Sequence, residues 1–368
     1  MVHTTNEPPM TPVPTTASSP PSSAHRRLRR VLPAAVVSIG LGCGVNAGHS
    51  APQTPTHQDA PSELFEVVKI VDGDTIHITR NGELVKLRLL SVDTEEKLAP
   101  GMRSSPSKPQ TVFGEETRLW TVDYLEQFRQ PDGALRIGLD FPHEKEAYDV
   151  FGRLLCHVLL PDGTDFNLLL VELGKSPYFN KYGNSLISHS AFVEAQARAR
   201  RNLIGIWDPR TNLSGTDDTP SAIRPYHRLL PWWQARAEAI DDFRGRSSSV
   251  PTDVLAADDP AALQAALESA RAIEVFGTPD RFFEEDDGSR TVLLRSGDRK
   301  RALRVSIPAA ARPSFEAFDL DALAEEFRQN YVYVKGTITR GPRGFRIVTD
   351  RLDAWRRAGP EPEITGSE

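Results

Sequence analysis

From Leu64 onward, apolar and polar positions alternate with the period of two that marks half-buried strands. Ile76 and Ile78 on one side, and Val85, Leu87 and Leu89 on the other, flank Asn81-Gly82, a dipeptide suited to a two-residue hairpin turn. The pattern predicts strands near 64–71, 75–80, 84–92, 134–141 and 152–160. Helices are expected near 114–128, 166–174 and 188–203. The first opens on Gly114-Glu115-Glu116-Thr117, which puts acids at the positive end of the helix dipole.

A polar stretch follows Trp207-Asp208-Pro209, and then a helix is expected over 231–244 with Trp232, Trp233, Ala237 and Ile240 as apolar positions. A linker covers 245–253, and an Ala-rich helix over 260–271 begins on proline, as helices allow. Strands return at 272–278, 290–295, 301–307, 331–340 and 344–350, with a helix near 319–328 between the third and fourth. Five short strands with one helix in that place is the layout of an OB-fold. The chain therefore divides into a leader over 1–62, a first domain over 63–209, a helical linker over 210–271, an OB-like second domain over 272–357 and a tail over 358–368.

Residues 1–24 are mostly Pro, Ser and Thr, too poor in large apolar groups to order themselves. Arg26, Arg27, Arg29 and Arg30 then precede an apolar run from Val31 to Leu41. That run is too short to cross a hydrocarbon core of about 30 Å as a helix. A basic segment, a short apolar segment and Val45-Asn46-Ala47 together read as a signal peptide cleaved after Ala47. Gly40-Leu41-Gly42-Cys43 offers a lipoprotein alternative, with the chain anchored at Cys43. Either way export is expected.

Composition narrows the picture a little. A net charge of −6 excludes a global basic field, so any contact with nucleic acid must come from a locally positive cleft. The two cysteines, Cys43 and Cys156, do not suggest an internal disulfide, and no Cys/His cluster has zinc spacing. His143 and His157 lack partners at ligand spacing and read as structural.

Candidate chemistry gathers in three places: Val71-Asp72-Gly73-Asp74-Thr75, Arg88-Leu89-Leu90-Ser91-Val92-Asp93-Thr94-Glu95-Glu96, and Phe151-Gly152-Arg153. Taken singly, these are a turn, an acidic loop and an arginine on an edge strand. With Phe113-Gly114-Glu115-Glu116, Glu194-Ala195-Gln196-Ala197 and Gly205-Ile206-Trp207 added in this order, residues 65–207 resemble the staphylococcal nuclease (thermonuclease) family.

The resemblance implies a mainly β fold, an OB-type five-stranded barrel with three helices, which cleaves DNA and RNA with calcium (Ca2+). By matching positions, Asp74 and Asp93 would ligate the metal through carboxylates and Thr94 through its carbonyl. Glu96 would activate or orient the attacking water, and Arg88 and Arg153 would hold the phosphate. Tyr178 and Tyr182 lie where the family contacts the nucleotide. The residue types suit such work independently, because hard cations take oxygen ligands and guanidinium groups grip phosphate in pairs. A secreted, monomeric nuclease is the expectation. The alternative is a catalytically inactive binding module of the same fold.

Three departures from the family pattern stand out. Glu95 replaces the usual proline, the loop from Lys97 to Val112 is rich in Ser, Pro and basic residues including Lys108, and Phe151 replaces a tyrosine. Hairpin arithmetic also leaves a puzzle. A two-residue loop pairs Arg80 with Glu83 and sets Asp74 opposite Leu89, with Asp93 on that same face. Arg88 then faces the other way unless a bulge or longer turn intervenes. In the second domain Tyr331, Tyr333 and Phe345 are candidates either for base stacking or for a core, beside Arg340, Arg343 and Arg346.

Overall fold

The protein is described from a computed structural model that covers residues 59–99, 101, 108–212, 223–248, 253–296, 301–318 and 331–358, all within the unit Gln53–Glu368. The expected leader, the helix at 319–328 and the end of the tail lie outside the described residues.

In the first domain, β1 (Phe65–Asp72), β2 (Thr75–Arg80) and β3 (Glu83–Leu89) form an antiparallel meander. The β2–β3 turn carries positive φ at Asn81 (52°) and Gly82 (77°), the backbone that a tight primed turn requires. Helix α1 (Val112–Glu126) intervenes before β4 (Arg136–Asp140), and the short β5 (Ala147–Tyr148) leads into β6 (Leu154–Leu159). β6 pairs parallel with β3 and antiparallel with β4, and β4 pairs with β1. The pairings β1–β2–β3–β6–β4–β1 therefore close a five-stranded barrel of OB type.

Ile76, Ile78, Leu87 and Leu89 are buried within it, as alternation predicts. Helices α2 (Phe166–Glu172) and α3 (His189–Arg201) cover the barrel through Phe166, Leu170, Phe192 and Ala195. Asp165 caps α2 by accepting the Leu168 N–H at 3.1 Å, and its other oxygen holds buried His157 at 2.8 Å. Cys156 is buried beside them and its thiol is pushed up by desolvation, an inert core group.

Helix α4 (Tyr226–Ser247) starts about one turn earlier than Pro231 suggests. Pro231 stays inside the helix because the turn before it is held by packing: Tyr226, Leu229 and Leu230 cluster with Phe113, Ile206 and Trp233. Tertiary contact here outweighs a residue that usually opens or breaks helices. The far half of α4 packs Ala239, Ile240 and Phe243 against Phe276, Tyr331 and Tyr333 of the second domain. One helix thus bridges both barrels.

The second domain begins with β7 (Val254–Ala256) and α5 (Pro260–Ser269), capped by Asp259. Strands β8 (Ala272–Gly277) and β9 (Pro279–Glu284) run on from each other through Thr278, followed by β10 (Arg290–Leu294) and β11 (Leu303–Ile307). Strands β12 (Val332–Thr337) and β13 (Thr339–Gly341) are likewise one bent strand, and β14 (Gly344–Val348) and β15 (Trp355–Arg357) complete the set.

Pairing runs β9–β10–β11, then β11–β14 in parallel, β14–β13, and back through β12–β8. That is the same ring as in the first barrel, so the OB-like layout is present twice. Tyr333 is fully buried and donates to Asp242 at 2.8 Å, while Tyr331 stacks on Phe276 and accepts from Arg236 at 2.7 Å. Phe345 is also buried. All three aromatic candidates are core and interface residues, not a stacking platform.

Candidate functional site

Asp74 sits in the turn between β1 and β2. Its carboxylate accepts the Thr94 N–H at 3.0 Å and the Thr75 hydroxyl at 3.0 Å, which ties the first acidic string to the second. After Leu89 the chain leaves the sheet through a turn at Leu90-Ser91, where Ser91 has φ 63°. Asp93 is then anchored by its N–H to Ser176 Oγ at 2.8 Å.

This turn settles the puzzle over Arg88. The β2–β3 register is unbroken, with Arg80 opposite Glu83 and Thr75 opposite Arg88, so neither a bulge nor a longer hairpin is present. Asp93 is outside the strand, and the period of two does not apply to it. The Arg88 guanidinium reaches both acids, pairing with Asp74 and with Asp93 Oδ1 at 2.5 Å.

Lys108 pairs with Asp93 at 3.1 Å and with Glu96, which brings the ammonium group against both acids. Arg88, Asp74, Asp93, Thr94, Glu96 and Lys108 form one continuous cluster. Arg153 is not bonded into it: its guanidinium holds Asp149 at 2.7 Å and lies over the Phe151 ring. Arg153 stands directly ahead of β6, next to Leu154, which pairs with Leu87 beside Arg88.

Tyr178 requires correction. It is 2% exposed, stacked on Phe192 with ring centroids 5.0 Å apart, and bonded to His189. Its ring is consumed by the core and offers no face to a nucleotide. Tyr182 is 64% exposed, meeting Phe179 edge-on.

The cluster's electrostatics follow from burial. Desolvation alone would raise Asp74 and Asp93, but the neighbouring cations Arg88, Lys108 and, for Asp93, Arg224 hold both below the ordinary carboxylate range. Asp72 makes no ion pair among the described residues. Burial, then Asp74, then Glu96 raise its carboxyl to about 7, against the Gly73 N–H that lowers it.

Sequence reasoning missed one group altogether. Arg224, just ahead of α4, donates from Nε to Glu95 Oε1 at 3.0 Å. Its Nη2 donates to the carbonyls of Asp93 at 2.6 Å and Thr94 at 3.1 Å, and Nη1 pairs with Asp93 Oδ2. The Tyr226 hydroxyl donates to Glu95 as well. Glu95 in place of proline was the available signal, because a carboxylate buried beside other acids requires a cation from somewhere.

A metal fits this donor set. Asp74 and Asp93 are buried oxygen donors that converge on the Arg88 guanidinium, and the Thr94 carbonyl shares the Arg224 guanidinium with Asp93. Among the described residues no three His, Cys, Asp or Glu side chains gather as a metal site, so waters and a phosphate oxygen would complete the shell.

The family model described as staphylococcal nuclease homologue matches residues 86–209. Over that segment the first domain is similar to the staphylococcal nuclease homologues. The chain is 29% identical over 155 residues to a thermonuclease of Staphylococcus intermedius, an alignment covering 41% of this chain and 79% of that protein. It is 30% identical over 160 residues to the endonuclease YhcR of Bacillus subtilis, covering 42% of this chain but 12% of that protein. An uncharacterized protein of Methanocaldococcus jannaschii is 28% identical over 155 residues, or 40% of this chain and 72% of the relative. These matches support a nuclease-type function and a nucleic-acid substrate for the first domain. Arg224 lies beyond the matched segment.

Proposed function

We propose that the first domain is a calcium-dependent nuclease that hydrolyses phosphodiester bonds of DNA, RNA or both, exported from the cell. The observation that carries this reading is the convergence of Asp74 and Asp93, from two separate turns, on the one Arg88 guanidinium. Asp74, Asp93 and the Thr94 carbonyl would hold the ion. When bound, it would polarise the phosphoryl oxygen as a Lewis acid.

The chain's own groups supply the rest. Arg88, drawn from the carboxylates to an incoming phosphate, grips it through paired N–H donors and keeps its charge at any working pH. Arg153, just ahead of β6, would take a second phosphate oxygen, where it would stabilise charge that grows toward the transition state. Glu96, freed from Lys108, accepts the proton of the attacking water.

A competing reading, an inactive binding module, draws support from the pairing of Asp74, Asp93 and Glu96 with cations of the chain itself. Cleavage of single-stranded DNA by the full-length chain decides between them. Activity should appear with calcium, vanish with a chelator, and fall about 10²–10³-fold in Asp74→Asn, the scale for loss of one charge-stabilising group. Undiminished activity in that variant, or in chelator, rejects the metal mechanism. No cleavage with any divalent ion favours the binding module.

A further inference from the structure

Among the cations around the acids, Arg224 differs in how it is held. Arg88 and Lys108 reach the cluster from the barrel and from just ahead of α1, and both keep some access to solvent. The Arg224 side chain is 5% exposed, and it is gripped on its other side by Glu95, whose side chain is fully buried. The Arg224 main-chain N–H also donates to Glu95, at 3.2 Å. An incoming phosphate can draw Arg88 away, but nothing comparable draws Arg224 from Glu95.

The oxygens that Arg224 occupies are largely those assigned to the metal. It takes Asp93 Oδ2 and, at 3.1 Å, the Thr94 carbonyl. A divalent ion at Asp74, Asp93 and Thr94 would share two of its donors with a fixed guanidinium a few ångströms off. Repulsion at that range is large, since charges near a protein surface interact at an effective dielectric of about 20 rather than 80.

We propose that Arg224 is a tethered internal cation that competes with the divalent ion for Asp93 and the Thr94 carbonyl, setting a low metal affinity. The inference rests on the calcium reading of the site. It also gives Glu95 a purpose: the carboxylate that replaces proline is the tether. The first domain's metal affinity would thereby be set by a residue just ahead of the bridging helix, outside the segment that the family model matches.

Calcium titration of the full-length chain by calorimetry, repeated with terbium luminescence, tests this without reference to cleavage. Arg224→Gln should bind at least about tenfold more tightly than the unaltered chain, from loss of one adjacent positive charge. Arg224→Lys, which keeps the charge, should stay within about threefold of it. If Arg224→Gln is too unstable to titrate, the double variant Glu95→Gln with Arg224→Gln removes both charges together, and it too should bind more tightly. Binding by the unaltered chain with equal or weaker affinity in the variants overturns the competition while leaving the calcium reading intact. Absence of binding in every form overturns both.

Discussion

Arg224→Met should lower the stability of the chain by about 3–5 kcal/mol, the range for stripping one partner from a buried ion pair. The cost lies less in the lost attraction than in what remains. Glu95 Oε1 would keep the Tyr226 hydroxyl and the main-chain N–H of residue 224 but lose its charged partner, while Glu95 Oε2 is already buried without a hydrogen-bond partner among the described residues. The carbonyls of Asp93 and Thr94 would each lose a donor.

A urea titration followed by tryptophan fluorescence should show the midpoint falling, because Trp207 and Trp233 pack around Tyr226. Adding Glu95→Leu should recover most of the loss, since a buried pair exchanged for apolar side chains is often neutral. Tyr226→Phe removes a hydroxyl that donates to Glu95 and accepts from Arg224 at 3.0 Å, and should cost about 3 kcal/mol, at about 1.5 for each hydrogen bond to a charged group. An unchanged midpoint in Arg224→Met would mean that the segment before α4 does not sit on the Asp93 loop in solution.

How much of this was legible in the sequence depends on the range of the interaction. The hairpin at Asn81-Gly82, the buried faces of β2 and β3, and the acids Asp74 and Asp93 all follow from local spacing. The main strands of the second barrel were readable for the same reason, because strand alternation is local. Arg88's reach was not, since strict alternation stops at the Leu90-Ser91 turn and a positive φ at a serine carries no reliable signature. Tyr178 misled because a tyrosine looks the same in sequence whether its ring meets Phe192 or a base, whereas for Tyr333 strand alternation already pointed to the core that it fills. Arg224 lies 131 residues from Asp93 and acquires meaning only when α4 folds back. Glu95 was the nearest thing to a clue.

Gly114→Ala should damage both stability and cleavage, although alanine is the better helix former. Gly114 lies in the first turn of α1, where Thr111 accepts its N–H at 3.0 Å and the Thr111 N–H donates to the Glu96 carbonyl at 2.9 Å. The helix start is thereby pressed directly against the loop carrying Glu95 and Glu96. A Cβ at Gly114 would stand 2.1 Å from the Glu96 oxygen and 2.8 Å from that of Glu95, where real contacts essentially never fall below 3.0 Å.

Both obstacles are backbone atoms, so no side chain can rotate aside. Helix propensity would gain about 1 kcal/mol. Overpacking against a fixed backbone costs about 3 kcal/mol, at the upper end of its range, so destabilisation wins. Relief requires the Glu96 carbonyl to retreat by about an ångström, and a misplacement of that size can cost about 10²-fold in rate. Because Glu96 and Asp93 share Lys108, the displacement reaches Asp93, a proposed metal ligand, too. The check is a thermal melt together with calcium-supported cleavage on the same preparation. Loss of cleavage well below the melting temperature ties the helix start to the site, whereas a stabilised and fully active variant would show that this loop does not pack on α1.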